Sequence, residues 1–481
     1  MALSFRIFLL PSLIILAFVS FVSSVVVFNQ TETLLKWKDD LDNHSQISLS
    51  SWVGESPCSW VGIACDKGGS ITNLSLPSFG LKGTLHNLNF LAFPKLMQLD
   101  FSNNSLFGTI PSHISNLSTL IFLNLSKNNL SSPIPASIGH LSNLSFLCLG
   151  YNKLFGSIPQ EIGLLKNLIR LGLCSNNLLG SIPISIGNLS SLHILCLYKN
   201  NLSGSIPQEI GLLKNLVELA LFYNNLSGLI PVSIGNLSRL SNLYLFNNEL
   251  SSSIPQEIGL LKNLVELALY SNNFSGLIPV SIGNLSRISH LYLYTNELSG
   301  SIPQEIGLLK NLIELDLSEN RLLGSIPTSI GNLCHLSLLY LFDNELLGSI
   351  PQEIGLLKNL IKLDLSENKL LGLIPTSIGN LCHLSLFYLF QNELSGSIPQ
   401  EIGLLQNLTY LALFSNNLSS SLPTSIGNLR RLVFLRLDSN NFCGKIPQEL
   451  GRLALLLSLQ LNNNQLFGET PLEIGMLSLF I

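Results

Sequence analysis

Along most of this chain the aliphatic residues fall at fixed offsets from a recurring asparagine. The asparagines stand every 24 residues, from Asn104, Asn128 and Asn152 to Asn464, sixteen in all without a missing step. Around each runs LxxLxLxxNxL and then, in most copies, GxIPxxIGxL. One copy reads Leu216, Leu219, Leu221, Asn224, Leu226, Gly228, Ile230, Pro231, Ile234, Gly235 and Leu237. A fixed period of this length predicts a solenoid, in which each unit buries its apolar face only against its neighbours.

The LxxLxLxx segment alternates apolar and polar positions and predicts a short strand. Stacked at about 4.8 Å per turn, these strands make one parallel sheet with the leucines pointing inward. The asparagine falls where the strand turns. Its amide has donors and acceptors for buried backbone groups of its own and the neighbouring turn, which no hydrophobe can supply. Gly and Pro in GxIP turn the chain outward, and IPxxIGxL reads as a short extended piece followed by a tight helical turn. The expected fold class is α/β: a leucine-rich-repeat solenoid, a right-handed arc with a concave parallel sheet and short helical or extended turns on the convex side. These repeated residues are scaffold and carry no catalytic reading.

The ends depart from the pattern. Residues 1–24 read as a secretory signal, with Arg6 as its early charge, an apolar run from Ile7 to Val22, and small Ser23 and Ser24 at a cleavage point. The alternative is an uncleaved anchor, since the run is nearly long enough to span a bilayer. Residues 29–70 are expected to cap the first apolar turn. This segment contains a short amphipathic helix from Glu32 to Asp42, then Trp52 and the run from Pro57 to Cys65. In an exported chain the close pair Cys58 and Cys65 reads as a disulfide, and no histidine stands nearby to favour a metal. Repeats fill 71–479, one irregular turn (Ile71, Leu74, Leu76, Leu81) and sixteen regular units. The chain stops at Phe480-Ile481 where another unit would begin, so it is expected to be cut short before a C-terminal cap.

Composition changes the picture in two respects. Charged residues are 11% of the 481 and the net charge is −4. With no basic run and no nucleic-acid-binding motif, nucleic acid is not an expected partner. Acceptor sequons fit export: Asn73, Asn116, Asn124, Asn188, Asn225, Asn273 and Asn407 all begin one. The same Asn-Leu-Ser also arises from the repeat consensus itself. The expected location is the secretory pathway, then the extracellular space or the outer face of the plasma membrane.

A second period of 48 runs through the array. Gln-Glu-Ile-Gly-Leu-Leu begins at Gln160, Gln208, Gln256, Gln304, Gln352 and Gln400, and Ser-Ile-Gly-Asn-Leu fills the alternate units. Such duplication copies residues whether or not they have a function. Candidate binding residues are therefore sought at the outward strand positions, six, four and two residues before each asparagine. The last of these is aromatic at Tyr198, Phe222, Phe246, Tyr270, Tyr294, Phe342, Phe390 and Phe414; the middle one adds Tyr244, Tyr292, Tyr340 and Tyr388. Rows of outward aromatics mark interaction surfaces, unless the rings only stack on one another as copies. Glu314, Asp316, Glu319, Asp343, Asp364 and Glu367 join the row later, with Lys362 among them. They favour a basic ligand segment, or are a solvated polar stretch. Asn124 would place a glycan on an early strand, so the groove is expected to begin near residue 192. Cys148, Cys174 and Cys196 face the same wall as free thiols or, for the last two, a bridge. His193 and His290 stand singly and read as polar contacts, with no metal or cofactor expected.

The repeat with LSGxIP, seen at Leu202-Ser203-Gly204-Ser205-Ile206-Pro207 and from Leu298 to Pro303, resembles the ectodomains of plant receptor-like kinases with leucine-rich repeats. The cap run Cys58-Ser59-Trp60-Val61-Gly62-Ile63-Ala64-Cys65 is similar to that family's cap, and the resemblance covers about 29–479. Within the family the chain resembles the MDIS1-interacting receptor-like kinase subgroup. The resemblance implies the outer part of a cell-surface receptor that binds a secreted peptide or protein and recruits a short-ectodomain co-receptor kinase. The repeats themselves make no membrane contact in such receptors. The family's membrane helix and kinase motifs are not found, so kinase activity is not carried over. The regular spacing has no island insertion of the kind that makes a steroid pocket. The family's carboxylate reader, two arginines one residue apart, is not found either; its nearest counterpart is Arg436-Leu437-Asp438. A secreted inhibitor of pathogen cell-wall enzymes also shares LSGxIP and is the alternative function. No nucleophile–base constellation supports an enzyme.

Overall fold

The computed structural model describes residues 29–476; the signal segment expected over 1–24 and residues 477–479 of the expected repeat region lie outside the described residues. Each LxL sends two leucines inward and leaves the residues between them on the open face. The result is one continuous sheet. It begins with the strand Ile71–Ser75 and continues through sixteen three-residue strands, from Gln98–Asp100 to Ser458–Gln460. Each pairs in parallel with the next, so that residues 24 apart lie side by side: Glu218 beside Asn242, Asn242 beside Glu266, Glu266 beside His290, and His290 beside Glu314. At the N-terminal edge the strand Ile63–Cys65 pairs antiparallel with Ile71–Ser75.

The asparagine ladder explains why the turns stack without slippage. Asn224, only 8% exposed, donates its amide to Leu197 O at 3.1 Å and Leu221 O at 2.9 Å. Its Oδ1 accepts from Leu202 N at 3.1 Å. One side chain therefore satisfies backbone groups on two turns. The residue before it is held in the left-handed region, as at Tyr223 (φ 53°), Ser271 (φ 53°) and Glu319 (φ 52°). This costs energy for a residue with a Cβ. The bonds on either side compensate for that cost.

Beyond the asparagine, short strands such as Asn225–Gly228 pair with one another; they lie ahead of the Ile-Pro where the extended piece was expected, and the pattern alone did not reveal them. They form an eight-stranded sheet running from Phe155–Gly156 to Arg321–Leu323, a five-stranded one from Leu371–Gly372 to Gln465–Leu466, and a pair near the start. The helical turns that follow are 3-10, such as Gln208–Leu212, entered from Pro207. They pack so closely that a Cβ on Gly211 would stand 2.5 Å from Ser233 O and 2.6 Å from Ser233 Cβ. Among the described residues α-helix occurs only in the cap, at Gln30–Asp39 and Asn43–Ser48. The first helix starts earlier than Glu32 because Asn29 accepts hydrogen bonds from Thr31 N and Glu32 N. Trp37 stacks on Phe101 at 5.1 Å, and Trp52 on Trp60 at 5.5 Å, covering the first turn. Cys58 and Cys65 are joined by a disulfide. A single apolar core then runs from Leu34 to Ile474.

Candidate functional site

In-register strands bring outward residues of equal offset into rows about 4.8 Å apart. Flat rings suit that spacing. Tyr198, Phe222, Phe246, Tyr270 and Tyr294 form one stack, with successive centroids at 4.3, 4.4, 4.3 and 4.3 Å. The outward aromatics between Tyr198 and Phe414 do not all meet. The stack ends where Ser318 takes the next place. Phe342 stands between Ser318 and Ser366, and a separate pair, Phe390 and Phe414, stacks at 4.5 Å. Nor are these rings exposed as expected. All are half-buried, and the stacked ones cover one another's faces.

The middle row carries tyrosine on alternate strands. Tyr244 meets Phe222 edge-on at 6.3 Å, and Tyr292 meets Tyr270 edge-on at 6.5 Å. Tyr244 Oη donates to Glu266 Oε2 at 2.8 Å and accepts from Asn242 Nδ2 at 2.8 Å. Tyr292 Oη donates to Glu314 Oε2 at 2.8 Å. Burial, then the facing carboxylate, raises the pKa of both phenols, so both remain donors. Burial likewise raises Tyr294, Tyr198 and Tyr340, and pushes Tyr388 up to about 12. Sequence reasoning missed Glu218 and Glu266. The signal available was their offset, six before the asparagine, recurring at 48 through Glu314.

Between these rows lies an open groove of about 510 Å³. Ala268 leaves room at its floor, Tyr244, Tyr270, Tyr292 and Tyr294 wall it, and Glu266, Glu314 and Asp316 edge it. It therefore offers ring faces, phenol donors and carboxylates within one opening, spanning units 222–316 of the expected longer row.

The acidic cluster divides by environment. Asp316 accepts from Ser318 N at 3.0 Å and Ser318 Oγ at 2.5 Å. Asp364 makes the same two bonds with Ser366. Burial pushes Asp316 up to about 6, with the Ser318 bonds opposing it, and raises Asp364 for the same cause. Both are therefore half-buried groups that close a turn, which departs from the alternative reading of a solvated polar stretch. Glu319, Asp343 and Glu367 are exposed, with Glu319 accepting from Thr295 Oγ1 at 2.9 Å.

The other candidate residues do not line the groove. Tyr151 and Tyr198 meet hydroxyl to hydroxyl at 3.1 Å. Cys174 and Cys196 are buried free thiols and Cys148 is free and half-buried. Burial pushes Cys196 up to about 12, which makes it a poor nucleophile. Asn124 holds Ser126 N and Oγ with its Oδ1. Toward the other end, Arg436 lies 3.8 Å over the ring of Phe414 and 3.5 Å from Asp438, so its guanidinium is already engaged. Tyr410 stacks on Phe434 at 4.9 Å and meets Tyr388 edge-on at 5.1 Å; both were missed because their offset puts them in the first row. His193 bonds to Ser191 O and His290 to Ser289 Oγ. Among the sequons, Asn73 donates to Gln98 and Asn407 to Cys382 O, while Asn116, Asn188, Asn225 and Asn273 are exposed.

Three comparisons set this geometry among known proteins. Family models for a leucine-rich repeat N-terminal domain match residues 29–66, for a leucine-rich repeat region 78–227 and 160–299, and for single leucine-rich repeats 311–333, 359–381, 407–429 and 431–453. MDIS1-interacting receptor like kinase 2 of Arabidopsis thaliana is 40% identical over 96 residues, 19% of this chain and 9% of that protein. The matched segments span about a tenth of the length of the curated relatives, at 9%, 10% and 9%. Among solved structures, the ectodomain of the Arabidopsis thaliana receptor kinase GASSHO1/SCHENGEN3, in complex with CASPARIAN STRIP INTEGRITY FACTOR 2, is 35% identical. That match covers 94% of this chain and 60% of that one, with a TM-score of 0.71. The Arabidopsis receptor kinase HAESA, in complex with the peptide hormone IDA and the co-receptor SERK1, is 33% identical. It covers 94% and 88% respectively, with a TM-score of 0.64.

Proposed function

Because the chain belongs to the leucine-rich-repeat family, with the cap and repeats of plant receptor-kinase ectodomains, we propose that it is the extracellular ligand-binding region of a plant cell-surface receptor, and that its ligand is a secreted peptide. The observation that carries this reading is the groove over 222–316. There, stacked rings offer apolar contact while tyrosine hydroxyls and carboxylates offer polar partners across adjacent strands. Aromatic clusters of this kind concentrate binding energy, and the nearby carboxylates favour a basic segment and speed encounter. Export led by residues 1–24, glycans on the exposed sequons, and a short-ectodomain co-receptor kinase as second partner belong to the same proposal. The structures of similar fold that hold peptides and a co-receptor support it.

The test is a binding screen of secreted plant peptides against the secreted chain. It is repeated with Tyr244, Tyr270, Tyr292 and Tyr294 changed to Ala, and with Asp316, Glu319 and Asp364 changed to Lys. The first set is expected to weaken binding in protein that still melts cooperatively. The second is expected to lower the association rate most at low salt. A ligand whose affinity neither set alters would move the site off the concave wall.

A further inference from the structure

The first outward row has a charge sequence of its own. At the position six before each asparagine, the strands from Arg170–Gly172 to Lys362–Asp364 carry Arg170, Ile194, Glu218, Asn242, Glu266, His290, Glu314, Leu338 and Lys362, all paired in register. Charge thus falls on alternate strands only: one cation, three carboxylates, one cation. Among the described residues none of the three carboxylates meets a basic side chain in an ion pair. Glu266 and Glu314 each hold a tyrosine hydroxyl on Oε2, and both line the groove. Three half-exposed carboxylates without an ion-pair partner stand in line, with His290 between the last two, and present a row of negative charge to a cationic ligand.

Their spacing restricts what that something is. Alternate strands lie two inter-strand steps apart, about 9.6 Å. A polyproline II chain rises about 3.1 Å per residue and returns to the same face every third residue, about 9.3 Å. An extended β peptide puts its third residue on the opposite face, and its same-face steps of about 6.6 and 13 Å miss the spacing. An α-helix comes nearest at seven residues, about 10.5 Å, and drifts by about 1 Å at each step. We propose that the ligand segment lying on this row is a proline-rich peptide in the polyproline II conformation, with basic side chains at the first, fourth and seventh positions, one for each of Glu218, Glu266 and Glu314. Arg170 and Lys362 bound the row at the same spacing and exclude a base from the next third position on either side. The rings of Tyr244 and Tyr292 stand next to the carboxylates and the stack from Phe222 to Tyr294 lies beyond them with its ring edges outward, so apolar aromatic surface borders the row for proline rings to pack on. This identification rests on the reading of the concave wall as the peptide site, and specifies the class of peptide.

The experiment is calorimetric titration of the secreted chain with three nonapeptides of identical composition. One is Arg-Pro-Pro repeated three times, one alternates Arg and Pro at its start, and one groups the three arginines. A helical peptide with arginine every seventh residue is the fourth probe. The period-three peptide is expected to bind about tenfold tighter than either permutation, since total charge is constant and only register differs. Glu266→Gln is expected to weaken the period-three peptide about fivefold and to leave the permuted ones within about twofold. Lys362→Glu extends the row, and is expected to tighten a twelve-residue version with a fourth arginine. Melting curves of both variants establish that they fold. Equal affinity for all permutations, or tighter binding of the alternating or helical probe, overturns the proposal. A random peptide pool runs alongside. A captured peptide lacking the third-position pattern, yet lost in the Tyr244 and Tyr292 to Ala variants, overturns this inference while the peptide-binding reading stands. If nothing from either set binds, both fall.

Discussion

Tyr292 donates its hydroxyl hydrogen to Glu314 on the next strand at 2.8 Å. Two strands on, Tyr340 takes the place of Tyr292 and Lys362, paired with Leu338, takes the place of Glu314, so that glutamate acceptor is gone. The duplicated pair therefore changes its electrostatics within the array. Burial raises the Tyr292 pKa first and the Glu314 charge adds to it. A raised acid contributes stability below its unfolded pKa, about 10 for tyrosine, and loses it as pH rises through the folded value. Tyr292→Phe should flatten the loss of stability above about pH 10, read from melting temperatures across an alkaline series.

Asp316 has the same sign at lower pH. Its carboxyl is pushed up to about 6 by burial, so the folded state holds the proton more tightly than the unfolded one. Stability is highest below about pH 4 and falls as pH rises to about 6. Asp316→Asn keeps an acceptor for Ser318 and removes the charge. The variant should be more stable than the parent by about 1 kcal/mol at pH 7, after discounting for partial exposure, and equal to it near pH 3.5. Denaturant midpoints at the two pH values provide the check. A basic ligand would stabilise the carboxylate, so its affinity should rise with pH through the same interval.

Asn224→Ala leaves Leu202 N without its acceptor and takes one of two amide donors from Leu197 O and from Leu221 O, which keep Asn200 and Asn248 respectively. The expected cost is about 1–3 kcal/mol for buried polar groups left unpaired. Asn272 is bonded in the same way and should behave alike. Chemical denaturation measures both, and unchanged midpoints would remove the ladder from the account of stability.

Tyr270 sits between Phe246 and Tyr294, stacked at 4.3 Å on each side. Although it points away from the leucine core, Tyr270→Ala uncovers two ring faces and should cost about 1–2 kcal/mol. The same change at exposed Tyr151 should cost less. Paired thermal melts separate the two cases.

Gly211→Ala places a methyl against Ser233 O and Ser233 Cβ of the next turn. Both neighbours belong to the packed 3-10 wall, so relief requires a backbone shift, at about 1–3 kcal/mol. Gly475, which has nothing within 4 Å of an added Cβ, is the control, and the same denaturation experiment distinguishes them.

How much was legible depended on whether a residue's role repeats. Leu219, Asn224 and Ile234 meet the same partners in every unit, so their period alone announced the sheet, the ladder and the outer wall. Glu266 does not repeat at 24. It appears only at 48, and its value as a partner arises from a tyrosine 22 residues earlier in sequence that lies beside it in space. A scan of one unit at a time passes over it. Asp316 and Asp364 were read as part of a ligand-facing or solvated acidic stretch because the bonds that Ser318 and Ser366 donate to them do not show in a pattern of acids.

The sequence by itself determined the architecture, because a solenoid's interactions are nearest-neighbour and a 24-residue period fixes each of them in turn. It also determined which side chains leave the core, since strand alternation permits no other assignment. Only the tertiary structure decided what those outward residues are to one another. It made five aromatics one stack and set Phe342 apart from it. It turned two tyrosines onto glutamates and made two aspartates into turn-closing groups. The reason is physical: stacking, desolvation and hydrogen bonding depend on which turn lies beside which, and on distances of a few ångströms that no one-dimensional spacing records.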